Sequence, residues 1–365
     1  MLLTALSFVL VMGIVVFVHE LGHLIAAKRN GIIVDEFGLG YPPRLVKLFE
    51  RGGTVYSINA IPFGGFARMR GEDDPTDPGS LAAASRWARF ITLVAGPLMN
   101  FLLAAVLFAV LSMFQGMPDV NKPGALVNAL VSGAPAEQAG MLVNDRIVAA
   151  DGVLISDITD LQSYTSAHLG QPIKYTLVRT DDGTGAEQTL EITITPRVDP
   201  PPNEGALGIQ IGTAMRPTHV WEAAWNGVRS VGQIIYMTFA IPANLIREGR
   251  PIGEAGFMGP VGIAATTGQF VRYGLSIASL EPILYFIAVV SAALGLTNLL
   301  PIPALDGGRL LFLAVEVIRG RRIEPAREGM VHLIGFGLLL LLVGFLTVRE
   351  VSSLISGTFP TLGLP

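Results

Sequence analysis

The chain has 365 residues, of which 51% are hydrophobic and only 15% charged, against about 25% charge in ordinary soluble domains. A net charge of −4 and the absence of cysteine exclude a basic nucleic-acid footprint, a disulfide scaffold and any cysteine-ligated metal site. With a mean hydropathy of +0.54, the composition points to a membrane protein, and charge-free runs indicate where it crosses.

The first expected element is a transmembrane helix over residues 1–27, charge-free as far as Val18. It lacks the basic leader and small-residue cleavage site of a signal peptide, so it is expected to be retained. Near its end stands His19-Glu20-Leu21-Gly22-His23. Residues i and i+4 share a helix face, so both imidazoles can bind one cation, and Glu20 beside them can accept a proton from water. Ionisable side chains inside an apolar span are costly, which favours a functional reading over packing.

Residues 28–89 form a loop with nine Lys and Arg. Within it Thr54–Ile61 alternates, with Tyr56, Ile58 and Ala60 on one side and Val55, Ser57, Asn59 and Ile61 on the other, a strand signature. Pro62 and Gly64-Gly65 are expected to end that strand as a turn. Residues 90–115 are 26 charge-free positions and form the second span. Residues 116–203 read as a compact domain, with strands near Ala125–Val131, Ile173–Arg179 and Thr189–Thr195, a helix near Ile158–Leu169, and a break at Pro200-Pro201-Pro202.

Residues 204–278 are expected to be an amphipathic, interfacial segment. Its charge-free run, Ser230–Ile246, has 17 residues and contains Gln233, Pro242 and Asn244. Trp221, Trp225, Val228, Ile234 and Ile235 are spaced for a helix lying on a surface. The third span covers 279–306 and ends in Asn298-Leu-Leu-Pro-Ile-Pro-Ala-Leu-Asp306-Gly-Gly, where Pro301 and Pro303 break the helix. A loop at 307–329 carries five Arg, and residues 330–365 supply the fourth span and a C-terminal tail. His168, His219 and His332 have no partner motif and read as structural or surface residues.

The basic loops 28–89 and 307–329 are expected on the cytoplasmic side, leaving the N-terminus, 116–278 and the C-terminus outside. Catalytic zinc takes three protein ligands and one open position. Two histidines leave one ligand missing, and without cysteine a carboxylate is expected. The first and third spans run in the same direction, so Asp306 lies at the depth of His19 and His23.

Together, HELGH in the first span and NLLPIPALDGG at the third resemble the site-2 proteases, intramembrane zinc metalloproteases, with the closer likeness to the bacterial RseP-type group. Gly96-Pro97-Leu98-Met99-Asn100 is similar to that family's GPxxN, and Gly259-Pro-Val-Gly-Ile263 and the Gly64–Gly71 string also agree. Gly124-Ala-Leu-Val, Ser132–Gly140 and Asn144–Gly152 resemble a PDZ domain, single here where the best-known members carry a tandem pair. The resemblance implies Zn2+ held by His19, His23 and Asp306, with Glu20 as general base and Asn298 orienting substrate or stabilising the oxyanion. It implies a polytopic α-helical membrane protein of four transmembrane helices, with an extracytoplasmic PDZ domain of α+β type. It also implies a membrane-associated β-hairpin on the cytoplasmic side that takes substrate as an added strand. Tyr56, Ile58, Asn59, Gly64, Gly65 and Asn100 are the candidate substrate-binding residues.

The implied activity is hydrolysis of peptide bonds in or near the transmembrane segment of single-span membrane proteins, in the bacterial cytoplasmic (inner) membrane. Such regulated intramembrane proteolysis acts on anti-sigma factors already shortened by another protease, or on remnant signal peptides. The expected partners are that substrate and the lipid bilayer, with no nucleic acid. One alternative is a non-catalytic PDZ membrane scaffold, which has no need of ionisable groups in its spans. Another is a transporter, for which the chain lacks a paired repeat half.

Overall fold

The computed structural model describes residues 2–71, 76–181, 183–201, 204–251 and 256–360. Pro202 of the expected break, and the last five residues of the expected tail, lie outside them. The chain begins with helix α1 (Leu2–Arg29), strands β1 (Val34–Arg51) and β2 (Thr54–Met69), and helix α2 (Arg86–Gln115). Then come β3 (Met117–Pro118), β4 (Ala125–Leu130), α3 (Pro135–Gln138), β5 (Arg146–Ala150), β6 (Val153–Leu154) and α4 (Ile158–Ala167). They are followed by β7 (Ile173–Thr180), β8 (Glu187–Ile194), β9 (Ile209–Gly212) and β10 (Met215–Arg216). Helices α5 (Val220–Arg247), α6 (Pro260–Ser276), α7 (Glu281–Leu299), α8 (Asp306–Arg319) and α9 (Pro325–Ile355) follow. Two compact units result: Met1–Leu111 with Val220–Pro365, and Ser112–His219.

Among the described residues, four helices are long and apolar enough to cross a membrane: α1, α2, α7 and the Arg327–Ile355 part of α9. This composition makes the chain a membrane protein. Small residues set the helix crossings, as they must where lipid supplies no hydrophobic drive between helices. Gly227 of α5 lies against the Ala105 carbonyl of α2, and Gly295 of α7 against the Pro97 carbonyl. Val11 and Val15 of α1 pack on Phe286 and Ile287 of α7. Helix α5 buries Ala223, Gly227 and Val231 and leaves Trp221 and Trp225 exposed. Ile234 and Ile235, read with them as spaced for a helix lying on a surface, are partly buried against the α2–α7 core.

Strand β2 starts at Thr54, where alternation placed it, but does not end at Pro62. It continues to Met69 because the chain folds back onto the other side of β1. Leu39 faces Ile58 on one side and Gly65 on the other, and Phe37 likewise lies between Tyr56 and Ala67. The tight turn that joins the two strands lies at Gly52-Gly53, both with positive φ. The curled sheet buries apolar Val34, Phe37, Ala67 and Met69 in a core with α1, but it also buries polar side chains and exposes apolar ones. Glu36, Ser57 and Asn59 are buried, while Tyr41, Leu45, Val46, Leu48, Phe49 and Ile61 are exposed. Arg44 and Ser57 both hydrogen-bond the Glu36 carboxylate, and the Arg44 contact holds that carboxyl below the ordinary glutamate range.

The 307–329 stretch, expected as a loop, contains helix α8. Its apolar residues recur around a buried Glu316, which pairs with Arg86 and Arg89 of α2. Gly320, left-handed at φ 70°, closes the helix.

In the second unit the strands order β8-β7-β5-β4-β9, with β6 beside β5. The core is Ile147, Leu161, Ile173, Tyr175 and Leu177, all nearly inaccessible, each contributing about 1.5–3 kcal/mol by burial. The buried Asp145 is paired with Arg179 at 2.7 Å, so the charge is compensated. The unit extends past the expected limit at 203. The prolines interrupt the chain, but β9 returns to pair with β4 and β10 pairs with β3.

Candidate metal centre

Helix α1 crosses α2 where two glycines meet. A Cβ on Gly22 would overlap the Ala95 carbonyl, and one on Gly96 would overlap the His23 imidazole. This closeness lets His23 Nδ1 reach the Thr92 carbonyl at 2.8 Å. A carbonyl can only accept, so Nδ1 carries the proton and Nε2 presents its lone pair.

His23 Nε2 lies 3.1 Å from His19 Nε2. Asp306 Oδ2 lies 3.2 Å from the His19 nitrogen and 3.3 Å from the His23 nitrogen. Zinc bonds of about 2.0 Å in tetrahedral array put ligand atoms about 3.3 Å apart. The three atoms therefore form one face of such a tetrahedron, and they fit the ion. His19 and His23 are buried and Asp306 is partly so. Among the described residues this is the one cluster of three or more such side chains able to hold a metal.

Asp306 reaches this position because α7 stops at Leu299 and α8 restarts at Asp306. Pro301 and Pro303 lack the amides that would continue a helix. Ala304 takes φ 79°, unusual for a residue with a Cβ. Gly307 and Gly308 sit against the carbonyls of Leu299, Leu300 and Ile302, where any side chain would collide. The Gly-Gly pair after Asp306 thus lets α8 tuck under the end of α7.

Asn100, expected to meet substrate, is fully buried. Its side-chain amide lies 3.2 Å from His19 Nδ1. The amide presents either oxygen or nitrogen to the ring by a half-turn. Only with oxygen toward Nδ1 does that nitrogen keep its proton and Nε2 remain free to bind a metal. That orientation also gives a partner to Asn100 Oδ1, otherwise buried without one. Thr92, Gly96 and Asn100 follow one another at four-residue spacing on α2, so one helix face supplies the supports of both histidines. That spacing is the sequence signal that could have revealed Thr92 and the role of Asn100.

Glu20, one residue from His19, accepts a hydrogen bond from the Ala67 amide of β2 at 2.9 Å. Gly65 lies beside it, its Cβ position 3.6 Å from Glu20 Cγ. The curled sheet therefore reaches the HELGH helix through β2, a contact that sequence reading missed. Of the other expected sheet residues, Asn59 is buried and donates to the Gly40 carbonyl. Tyr56 stacks on Phe49. Ile58 is exposed, and Gly64 has φ 93° against the Tyr41 ring. Asn298 stands in the last turn of α7, partly buried. A cavity lined by Arg89, Arg309, Glu316 and Arg322 lies against α8 and includes none of the three candidate ligands.

The sequence matches peptidase family M50 over residues 7–342. It is 30% identical to zinc metalloprotease RasP of Geobacillus kaustophilus, covering 95% of this chain and 97% of that one. RasP of Shouchella clausii is 29% identical across 97% of this chain and all of its own. The protein Atu1380 of Agrobacterium fabrum is 33% identical over 95% of each chain.

Proposed function

The chain belongs to peptidase family M50, the site-2 proteases, and from that premise we propose how this zinc metalloprotease works and on what. His19, His23 and Asp306 hold the zinc. The observation that carries this is the set of three lone-pair atoms at 3.1–3.3 Å, which repel one another unless a cation lies between them. Thr92 and Asn100 fix the two imidazoles with Nε2 inward. Bound zinc supplies Lewis acidity and lowers the pKa of water in its open position.

Glu20 takes a proton from the attacking water and returns it to the leaving amine. Asn298 offers its amide to the oxyanion that develops at the scissile carbonyl. The substrate is a single-span membrane protein, such as an anti-sigma factor or a remnant signal peptide. Its helix unwinds locally, and the extended segment adds to the open edge of β2 at Gly64, Gly65 and Ala67, a stretch that β1 pairs on one side only. The exposed apolar side chains of the sheet, among them Tyr41, Leu45, Leu48 and Ile61, support this reading, because they suit lipid and an unwound apolar peptide. Addition at the edge near Ala67 competes for the amide now held by Glu20, so docking frees the base.

The Ser112–His219 unit acts as a PDZ domain outside the cytoplasmic membrane. The N- and C-termini lie on the same side, and the loops 28–89 and 307–329 lie in the cytoplasm. The test is reconstitution into proteoliposomes with a tagged single-span peptide. Cleavage within or beside its apolar segment, abolished by a zinc chelator and restored by zinc, is expected. Cleavage that persists in chelator would overturn the proposal.

A further inference from the structure

The loop between α7 and α8 has six residues, 300–305, and two of them are prolines without an amide. Leu300 donates to Thr297, Ile302 to Leu300 and Leu305 to Ile302, all local contacts. Ala304 alone sends its N–H to a distant element, at 2.9 Å to His332 Nδ1 of α9. Ala304 is the loop's left-handed residue and stands two positions before Asp306.

Three further contacts converge on the same place. Gly335, on the same face of α9 one turn on, lies so close to Pro303 that a Cβ there would come within 3.0 Å of the Pro303 backbone. Phe312 of α8 sets its ring 5.5 Å from the His332 ring. Glu328, one turn earlier on α9, places a carboxylate oxygen 4.0 Å from His332 Nε2. Nδ1 can accept from Ala304 only if it carries no proton, so the ring proton sits on Nε2, the nitrogen turned toward Glu328.

We propose that His332 is a positioning residue for the metal group: with Gly335 it clamps Pro303–Ala304 from α9 and so fixes where α8 begins and where Asp306 points. This rests on the zinc reading above. His332 never touches the metal or the reacting atoms. It acts by holding a backbone amide whose conformation a residue with a Cβ adopts only under constraint. The last membrane helix thereby becomes part of the metal site, although none of its residues is a ligand.

Cobalt titration of the detergent-solubilised full chain tests this, with the visible spectrum reporting tetrahedral geometry. Wild type, His332→Leu, His332→Asn and Leu341→Ala are compared; Leu341 is an exposed α9 residue. Supports of metal ligands are worth 10- to 100-fold in metal affinity, so His332→Leu is expected to weaken cobalt binding at least about tenfold and to change the spectrum. His332→Asn, whose side-chain oxygen falls near the Nδ1 position, is expected within about threefold of wild type, and Leu341→Ala is expected to match it. A merely structural role would lower the melting temperature of His332→Leu and leave cobalt affinity and spectrum unchanged, which would overturn the proposal. If His332→Leu fails to fold, His332→Asn against His332→Gln decides, because only Asn places its oxygen at the right reach. Equal cobalt binding by those two variants would also overturn it. A folded wild type that takes up no cobalt overturns the zinc reading, and the role of His332 with it.

Discussion

Asn100 offers a test in which the chemistry fixes the sign. Its side chain is fully buried and lies 3.2 Å from His19 Nδ1. If it accepts the Nδ1 proton, it holds His19 in the tautomer that binds metal. Asn100→Leu keeps the volume and removes the acceptor. Loss of such a support costs about 10- to 100-fold in metal affinity, or about 1.4–2.7 kcal/mol. Leaving Nδ1–H buried and unpaired adds about 1–3 kcal/mol of destabilisation. Asn100→Asp keeps an oxygen in place and forms a carboxylate–histidine pair, so zinc affinity should stay at or above wild type. Competition with a chromophoric chelator measures all three affinities, and thermal melting separates folding from binding. The reasoning is refuted if Asn100→Leu binds zinc as wild type does, or if Asn100→Asp loses as much as Asn100→Leu.

Other expectations follow from single contacts. Gly96→Ala drives a methyl group into the His23 ring; displacing a reacting group by about 1 Å costs on the order of 10²-fold, so peptide turnover should fall at least that far, and an unaffected rate would contradict the crossing geometry. The Glu36 carboxyl is held below its ordinary range, chiefly by Arg44. Its contribution is therefore fully present above the ordinary glutamate pKa and lost as pH falls through the lowered value. The melting temperatures of wild type and Glu36→Gln should thus converge as pH drops from 7 to 3, and a constant gap would refute the pairing. Because the chain has no cysteine, Lys174→Cys and Arg321→Cys can be labelled one at a time in intact cells with a membrane-impermeant maleimide. Lys174→Cys should label from outside and Arg321→Cys only after permeabilisation; the reverse pattern contradicts the orientation.

His19, Glu20 and His23 were legible because helix geometry alone brings i and i+4 together, and Asp306 because topology gives it a matching depth. The supports were harder to read, since Thr92 and Asn100 meet the histidines across 69 and 81 residues; the four-residue spacing of Thr92, Gly96 and Asn100 marks one helix face without saying what packs on it. The alternation at Thr54–Ile61 announced a strand. It did not reveal that β2 folds around β1, or that Ser57 and Asn59 are buried while Ile58 is exposed, opposite to an ordinary half-buried strand. The five Arg of 307–329 give that stretch the look of a loop and mask its helical period, in which Leu310, Leu313 and Val317 recur. At the far end of the Ser112–His219 unit, the prolines mark a real interruption. The edge strand beyond them is only four residues long, Ile209–Gly212, too short to stand out in the sequence.

The most direct test of the central claim compares wild type and Glu20→Gln in proteoliposomes, with zinc measured in the same samples as peptide cleavage. His19, His23 and Asp306 remain in both, so each should hold one zinc per chain. General acid–base catalysis is worth about 10²–10⁴-fold, so the variant should cut the single-span peptide at least 100-fold more slowly. Equal cleavage by the two proteins, or a folded wild type without zinc, would contradict the assignment of this site.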